Sequence, residues 1–83
     1  LGRNSCTARD MHYVSGAQPI EPFRAGAKIR YKAREAATSV YPQGSIVRVE
    51  FDEPQRDITP GQGLVLFDGD VVLGQGFIEQ EAA

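Results

Sequence analysis

One cysteine, Cys6, and one histidine, His12, are the only thiol and imidazole groups in the chain. A structural zinc ion takes about four such ligands in a tetrahedron, so this pair completes no zinc site. Read instead as thiolate and base, the two lack a third group to orient the base, which nucleophilic catalysis requires. The sequence therefore assigns Cys6 no chemical role. Glu50, Asp52, Glu53 and Asp57 crowd carboxylates into one stretch, but the regular oxygen spacing and central glycine of a calcium loop are missing. Glycoside hydrolysis needs two carboxylates facing each other across a cleft, for which so short a chain has little room. These acids read as solvated charge or as part of an interface. Gly74-Gln75-Gly76-Phe77 shares letters with a phosphate-binding glycine loop, yet it lies in a strand pattern and opens no helix. Close strand packing accounts better for its glycines.

The strongest pattern is cationic. Over residues 24–32 the odd positions hold Ala25, Ala27, Ile29 and Tyr31, and the even ones Arg24, Gly26, Lys28, Arg30 and Lys32. Period two places the cations on one side of a strand and the apolar residues on the other. Cations on alternate residues stand about 6.6 Å apart, comparable to successive phosphates of a nucleic acid. Tyr31 faces the core in a regular strand and becomes available for base stacking only near an edge or bulge. Nucleic-acid contact, a protein interface and an ordinary charged sheet face all fit this stripe.

Such side chains need a scaffold, and 83 residues allow one domain with one core. Ordering them costs on the order of 125 kcal/mol, so most of the 41% hydrophobic content must enter that core. Net charge is −2, which by itself argues against a free-standing nucleic-acid binder. The average conceals a polarity: residues 1–34 hold seven basic and two acidic side chains, residues 35–83 two basic and nine acidic. A lone cysteine forms no internal disulfide, which fits a reducing compartment. No apolar run is long enough to span a membrane, and no signal peptide is visible. The absence of an initial methionine suggests a fragment of a larger protein.

Residues 1–8 are polar and aperiodic and read as a lead-in from a preceding domain; residues 9–80 carry the strands, and 81–83 form a tail. Strands are expected over 9–14, 24–32, 36–41, 45–51, 64–67 and 71–73, with a last one through Gly76, Phe77 and Ile78. Pro42-Gln43-Gly44 and Asp68-Gly69-Asp70 read as hairpin turns, and Thr59-Pro60-Gly61-Gln62 as a tight turn. Residues 52–57 are expected to leave the sheet. About six short strands without an amphipathic helix predict an all-β barrel, because closure buries a core and removes exposed edges. SH3-like and OB-like barrels are the nearest rivals.

The ordered motifs Pro22-Phe23-Arg24, Lys28-Ile29-Arg30-Tyr31, Val49-Glu50-Phe51-Asp52-Glu53-Pro54, Ile58-Thr59-Pro60-Gly61-Gln62 and the run from Phe67 to Gly74 closely resemble the C-terminal domain of bacterial tRNA-specific 2-thiouridylases. The resemblance covers about Cys6 to Gln80. It implies a six-stranded barrel like the second domain of translational elongation factors, following an ATP-pyrophosphatase-type catalytic domain and a small central domain. The implied cytoplasmic parent activates C2 of the wobble uridine by adenylation with ATP and then delivers sulfur, received from a sulfur-relay protein, through a cysteine persulfide. Both of its cysteines and its ATP loop precede the barrel, so this chain is expected to hold no catalytic residue, metal or cofactor.

What the resemblance carries onto the barrel is tRNA contact through Arg30, Tyr31 and Gln62, with Arg24, Lys28 and Lys32 as phosphate-contacting candidates. These residue types suit RNA contact, because arginine forks onto phosphate, tyrosine stacks or donates, and glutamine both donates and accepts. The chain departs from many relatives in having Tyr13 in place of tryptophan and Gln75 between two glycines in place of a third. A structural or protein-interaction barrel of a multidomain enzyme is the alternative.

Overall fold

The computed structural model describes residues 3–29, 34–56 and 58–79. Six strands, β1 (Arg3–Tyr13), β2 (Phe23–Ile29), β3 (Ala36–Gln43), β4 (Ile46–Gln55), β5 (Gly63–Asp68) and β6 (Val71–Ile78), form a closed barrel in the order β1-β4-β3-β2-β5-β6. Every neighbouring pair is antiparallel. Closure gives every strand a neighbour on both sides, the expected solution for a small all-β chain.

Alternation builds the core. Cys6 and Ala8 of β1, Ala25, Ala27 and Ile29 of β2, Val40 of β3, Val47, Val49 and Phe51 of β4, Leu64 and Leu66 of β5 and Ile78 of β6 all point inward. Small residues among these keep a narrow barrel from overfilling. The inward hydroxyl of Thr38 donates to the carbonyl of Ala25 at 2.8 Å and is satisfied, whereas the buried Tyr13 hydroxyl at the margin of the core meets no partner among the described residues. The hairpin β5–β6 turns through Gly69-Asp70, where Gly69 adopts φ 61°, and β3–β4 turns through Gly44-Ser45 with Gly44 at φ 71°.

β3 runs on through Pro42 and Gln43, which were expected in its turn, and three further strand boundaries differ from the sequence reading. β1 starts at Arg3, so residues 3–8 belong to the barrel wall and Cys6 is buried rather than placed in a lead-in. Over residues 3–8 its buried side chains are Cys6 and Ala8, too small and too mildly apolar to mark a strand. β4 continues to Gln55 instead of leaving the sheet at Asp52. Past Phe51 it has outrun β3 and pairs only with β1, through Arg3 opposite Gln55, so it carries the charged, exposed residues of a loop. The two expected C-terminal segments are one strand, β6, continuous through Gly74.

That continuity depends on how closely β1 approaches β6. A Cβ added at Gly74 would lie 2.7 Å from the His12 carbonyl oxygen, and one at Gly76 2.7 Å from that of Arg9 while also striking Met11 Sδ. The β1–β6 register shifts between Arg9 and His12, and Asp10 within that bulge has φ 54°. The bulge and the two glycines together form the closing seam.

Candidate nucleic-acid interface

Alternation in β2 turns Arg24, Gly26 and Lys28 outward and buries Ala25, Ala27 and Ile29, as the sequence pattern requires. The outward stripe is not a row of bare cations. Arg24 donates from Nη1 to Asp52 Oδ1 at 2.7 Å and from Nη2 to Oδ2 at 2.6 Å, with a further Nη1 contact to Ser39 Oγ at 3.0 Å. A methyl group at Gly26 would strike the Glu35 carboxylate, so an acid also covers the centre of the stripe. Lys28 Nζ lies 5.8 Å from the Phe67 ring centroid. Of the phosphate-contacting candidates, Arg24 is thus engaged by a carboxylate, Lys28 sits over a ring, and Lys32 lies outside the described residues.

The bidentate fork holds the Asp52 carboxyl below its ordinary range, through the Arg24 hydrogen bonds and charge against a smaller opposing cost of desolvation. Because the folded value is depressed, the pair's contribution is present above the ordinary carboxylate range and is lost as pH falls through the lower folded value. Solvent exposure keeps it small. The Asp52 side-chain carboxyl carbon, followed by NMR, should titrate below the ordinary aspartate midpoint and return toward it in Arg24→Gln. An unshifted midpoint would mean that the fork is not populated in solution.

The structure adds residues that sequence reading did not connect. Lys28 stands opposite Val65, Val65 opposite Gln75, and Gln75 opposite His12, so four strands contribute one transverse row. Arg9 lies over Phe77, 5.6 Å from the ring centroid, and also pairs with Asp10 at 2.7 Å. A groove of about 560 Å³ runs along this wall, lined by Asp10, His12, Val65, Gln75 and Phe77 among others. Cations, the exposed Phe77 ring and the half-buried Phe67 ring, an amide and an imidazole thus share one wall. The strand patterns of β5 and β6 were readable, but their pairing across β1 needed the closed topology.

Gln62 occupies the turn before β5. Its Oε1 accepts the Thr59 N–H at 2.8 Å and its backbone carbonyl accepts the Ile78 N–H at 2.8 Å. The turn therefore uses the acceptor half of the side chain, and the Nε2 donors are the half suited to a partner. Ile29, the last described residue of β2, pairs with Leu64, two residues from Gln62. Arg30 and Tyr31 lie outside the described residues. Substituting Gln62→Glu should keep the Thr59 acceptor and leave thermal stability nearly unchanged. It removes both donors and adds an anion, so a nucleic-acid partner hydrogen-bonded at Nε2 should bind roughly 2- to 12-fold more weakly, the worth of one hydrogen bond. Unchanged affinity in a fluorescence titration would leave Gln62 only its turn-capping role.

Among the described residues, no group of three or more His, Cys, Asp or Glu side chains is placed to hold a metal ion. Cys6 is buried in the wall and His12 lies on the outside. A closed antiparallel six-stranded barrel with a cation-and-aromatic outer wall defines a small β-barrel domain. The chain belongs to the aminomethyltransferase β-barrel domain family, whose model matches residues 3–78. It corresponds to the C-terminal barrel of tRNA-specific 2-thiouridylases, as the ordered motifs implied.

It is 50% identical over 74 residues to the tRNA-specific 2-thiouridylase MnmA of Acetivibrio thermocellus, covering 88% of this chain and 21% of that protein. It is 47% identical over 79 residues to the tRNA-specific 2-thiouridylase MnmA of a Nostoc species, covering 94% and 22%. The protein of the same name from Moorella thermoacetica is 47% identical over 83 residues, covering 99% and 23%. The chain thus spans about a fifth of the length of these relatives.

Proposed function

We propose that this barrel is the tRNA-contacting part of an ATP-dependent tRNA 2-thiouridylase, the remainder of which thiolates C2 of the wobble uridine. In this reading the parent is cytoplasmic, adenylates the uridine with ATP and transfers sulfur from a cysteine persulfide charged by a sulfur-relay protein. The observation that carries the proposal is identity near one half, over nearly the whole barrel, to proteins named as tRNA-specific 2-thiouridylases. The wall bearing Arg9, Lys28, Phe67 and Phe77 supports it, because cations beside aromatic faces suit a phosphate backbone and unstacked bases.

Arg30 and Tyr31 are the central contacts proposed, with Gln62 beside them and Arg24, Lys28 and Lys32 as phosphate partners. Arg30 is bonded directly to Ile29, whose strand partner lies two residues from Gln62. For Arg24 to contribute, phosphate must compete with Asp52. Sulfur chemistry falls to the parent's catalytic and central domains, since Cys6, the one cysteine of the sequence, is buried.

Titration of the ¹⁵N-labelled chain with unmodified tRNA, at low and physiological salt, tests the reading. Saturable shifts are expected at residues 28–32, at 61–63 and along the outer faces of β5 and β6. In the intact enzyme, Arg30→Ala should weaken binding across tRNA sequences and reduce the salt slope by about 1. Shifts reproduced in full by heparin would identify a merely charged face and defeat the proposal.

A further inference from the structure

The end of the barrel formed by residues 14–22 and the β5–β6 hairpin is unlike the wall just described. Ile20 is 89% exposed, Val14 73%, Val71 62% and Val72 40%. Pro19, Pro22 and Leu73 join them around a groove of about 850 Å³. So many exposed aliphatic side chains at one end of an 83-residue domain mark an interaction surface.

The groove is also held in shape. Val14 N–H donates to the Leu73 carbonyl at 2.9 Å, Gly16 N–H to that of Tyr13 at 2.9 Å, and Gln18 Nε2 donates to the Gly44 carbonyl. The loop is therefore tied to β6 and to the β3–β4 turn, and its apolar residues are displayed on a fixed base. Such preorganisation lowers the ordering cost of association.

Charge selects the class of partner. Among the described residues, Glu21 is the only charged one lining the groove, and the adjoining hairpin tip carries Asp68 and Asp70. No described lysine, arginine or histidine lines it. A polyanion or an anionic bilayer would meet like charge there, whereas an apolar protein surface rimmed by basic residues would be complementary. Size argues against a second copy. The groove is lined by 13 residues, fewer than the roughly 20–30 per side of a stable independent complex. A tethered partner needs less area, because a short linker supplies an effective concentration in the millimolar range.

We propose that this surface docks the remainder of a longer polypeptide that carries the barrel, through an apolar patch flanked by lysine or arginine side chains. The proposal rests on the thiouridylase reading for the existence of that polypeptide, whose relatives are about four times the length of this chain. It divides the molecule: the Arg9–Lys28 wall faces RNA, and the Ile20–Val71 end faces protein.

Hydrogen exchange of the intact polypeptide, compared with the 83-residue chain, decides between these outcomes. Amides of residues 14–18, 20, 21 and 69–73 should exchange at least about tenfold more slowly in the intact polypeptide. The double substitution Ile20→Ser, Val71→Ser should restore the faster rates there, while leaving the melting temperature of the 83-residue chain unchanged, because both side chains are exposed. Equal exchange in the two wild-type forms would overturn the proposal. So would a dimer of the 83-residue chain, seen by sedimentation equilibrium and abolished by the double substitution, or cosedimentation with phosphatidylglycerol vesicles. A gene encoding no longer polypeptide would also overturn it. An intact polypeptide that shows the protection but does not thiolate tRNA would refute the enzyme assignment and leave the docking surface standing.

Discussion

Substituting Gly76→Ala is expected to cost the barrel about 1 to 3 kcal/mol, the usual penalty for forcing a methyl group into a filled space. The new Cβ would lie 2.7 Å from the Arg9 carbonyl oxygen, and a backbone oxygen yields only if β1 moves away from β6. Met11 Sδ blocks the same volume, although a flexible thioether can swing aside. Gly26→Ala is the matched control. Its methyl meets only the Glu35 side chain, whose carboxylate can rotate outward, and alanine costs less backbone entropy than glycine. Urea titration should show a clearly lower midpoint for Gly76→Ala and little or no loss for Gly26→Ala. Equal midpoints would mean that the β1–β6 seam has slack the structure does not show.

A larger effect is expected from Ile29→Ala. Ile29 is 5% exposed, pairs with Leu64 and belongs to a core shared with Leu66, Val49 and Phe51. Truncation leaves a cavity that a closed barrel cannot easily collapse, because each strand is hydrogen-bonded on both sides. The expected loss is about 2 to 5 kcal/mol, against a total stability of about 4 to 12 kcal/mol for a domain of this size. Ile29→Val should lose only about 0.5 to 1.5 kcal/mol, so the ratio of the two distinguishes a packed side chain from a half-exposed one. Since Ile29 immediately precedes Arg30, tRNA titrations of Ile29→Ala need conditions in which the barrel remains folded.

The legible parts of this fold were those with strong contrast between faces. Residues 24–29 alternate cation or glycine with alanine or isoleucine, and the strand, its faces and its burial followed directly. Gly44 and Gly69 marked both hairpins, because few residues tolerate the backbone angles of so short a turn, although Pro42 and Gln43 belong to β3 and the first turn is Gly44-Ser45. β1 was half missed since Cys6 and Ala8 give weak apolar contrast, and the end of β4 was missed since a strand with one partner carries exposed charge like a loop. The site was legible only in part. Tertiary pairing brought Arg9 to Phe77 and Asp52 to Arg24, and no spacing within the chain encodes contacts between residues so distant in sequence.

The strand order also sets a timetable. β1 is made first, yet its neighbours are β4 and β6: Ala8 meets Val47 about 40 residues later and Ile78 only about 70 residues later. At ribosomal rates of about 5–20 residues per second, the first strand waits roughly 4 to 14 s for the last. An exposed strand rich in valine and isoleucine would be an aggregation hazard throughout that interval. The sequence Asn-Ser-Cys-Thr-Ala-Arg-Asp over residues 4–10 is instead polar, charged at one end and only weakly apolar on its inward face. The modest composition that concealed the first half of β1 from sequence reading is thus what lets its β6-facing side remain safely unpaired until the ring can close.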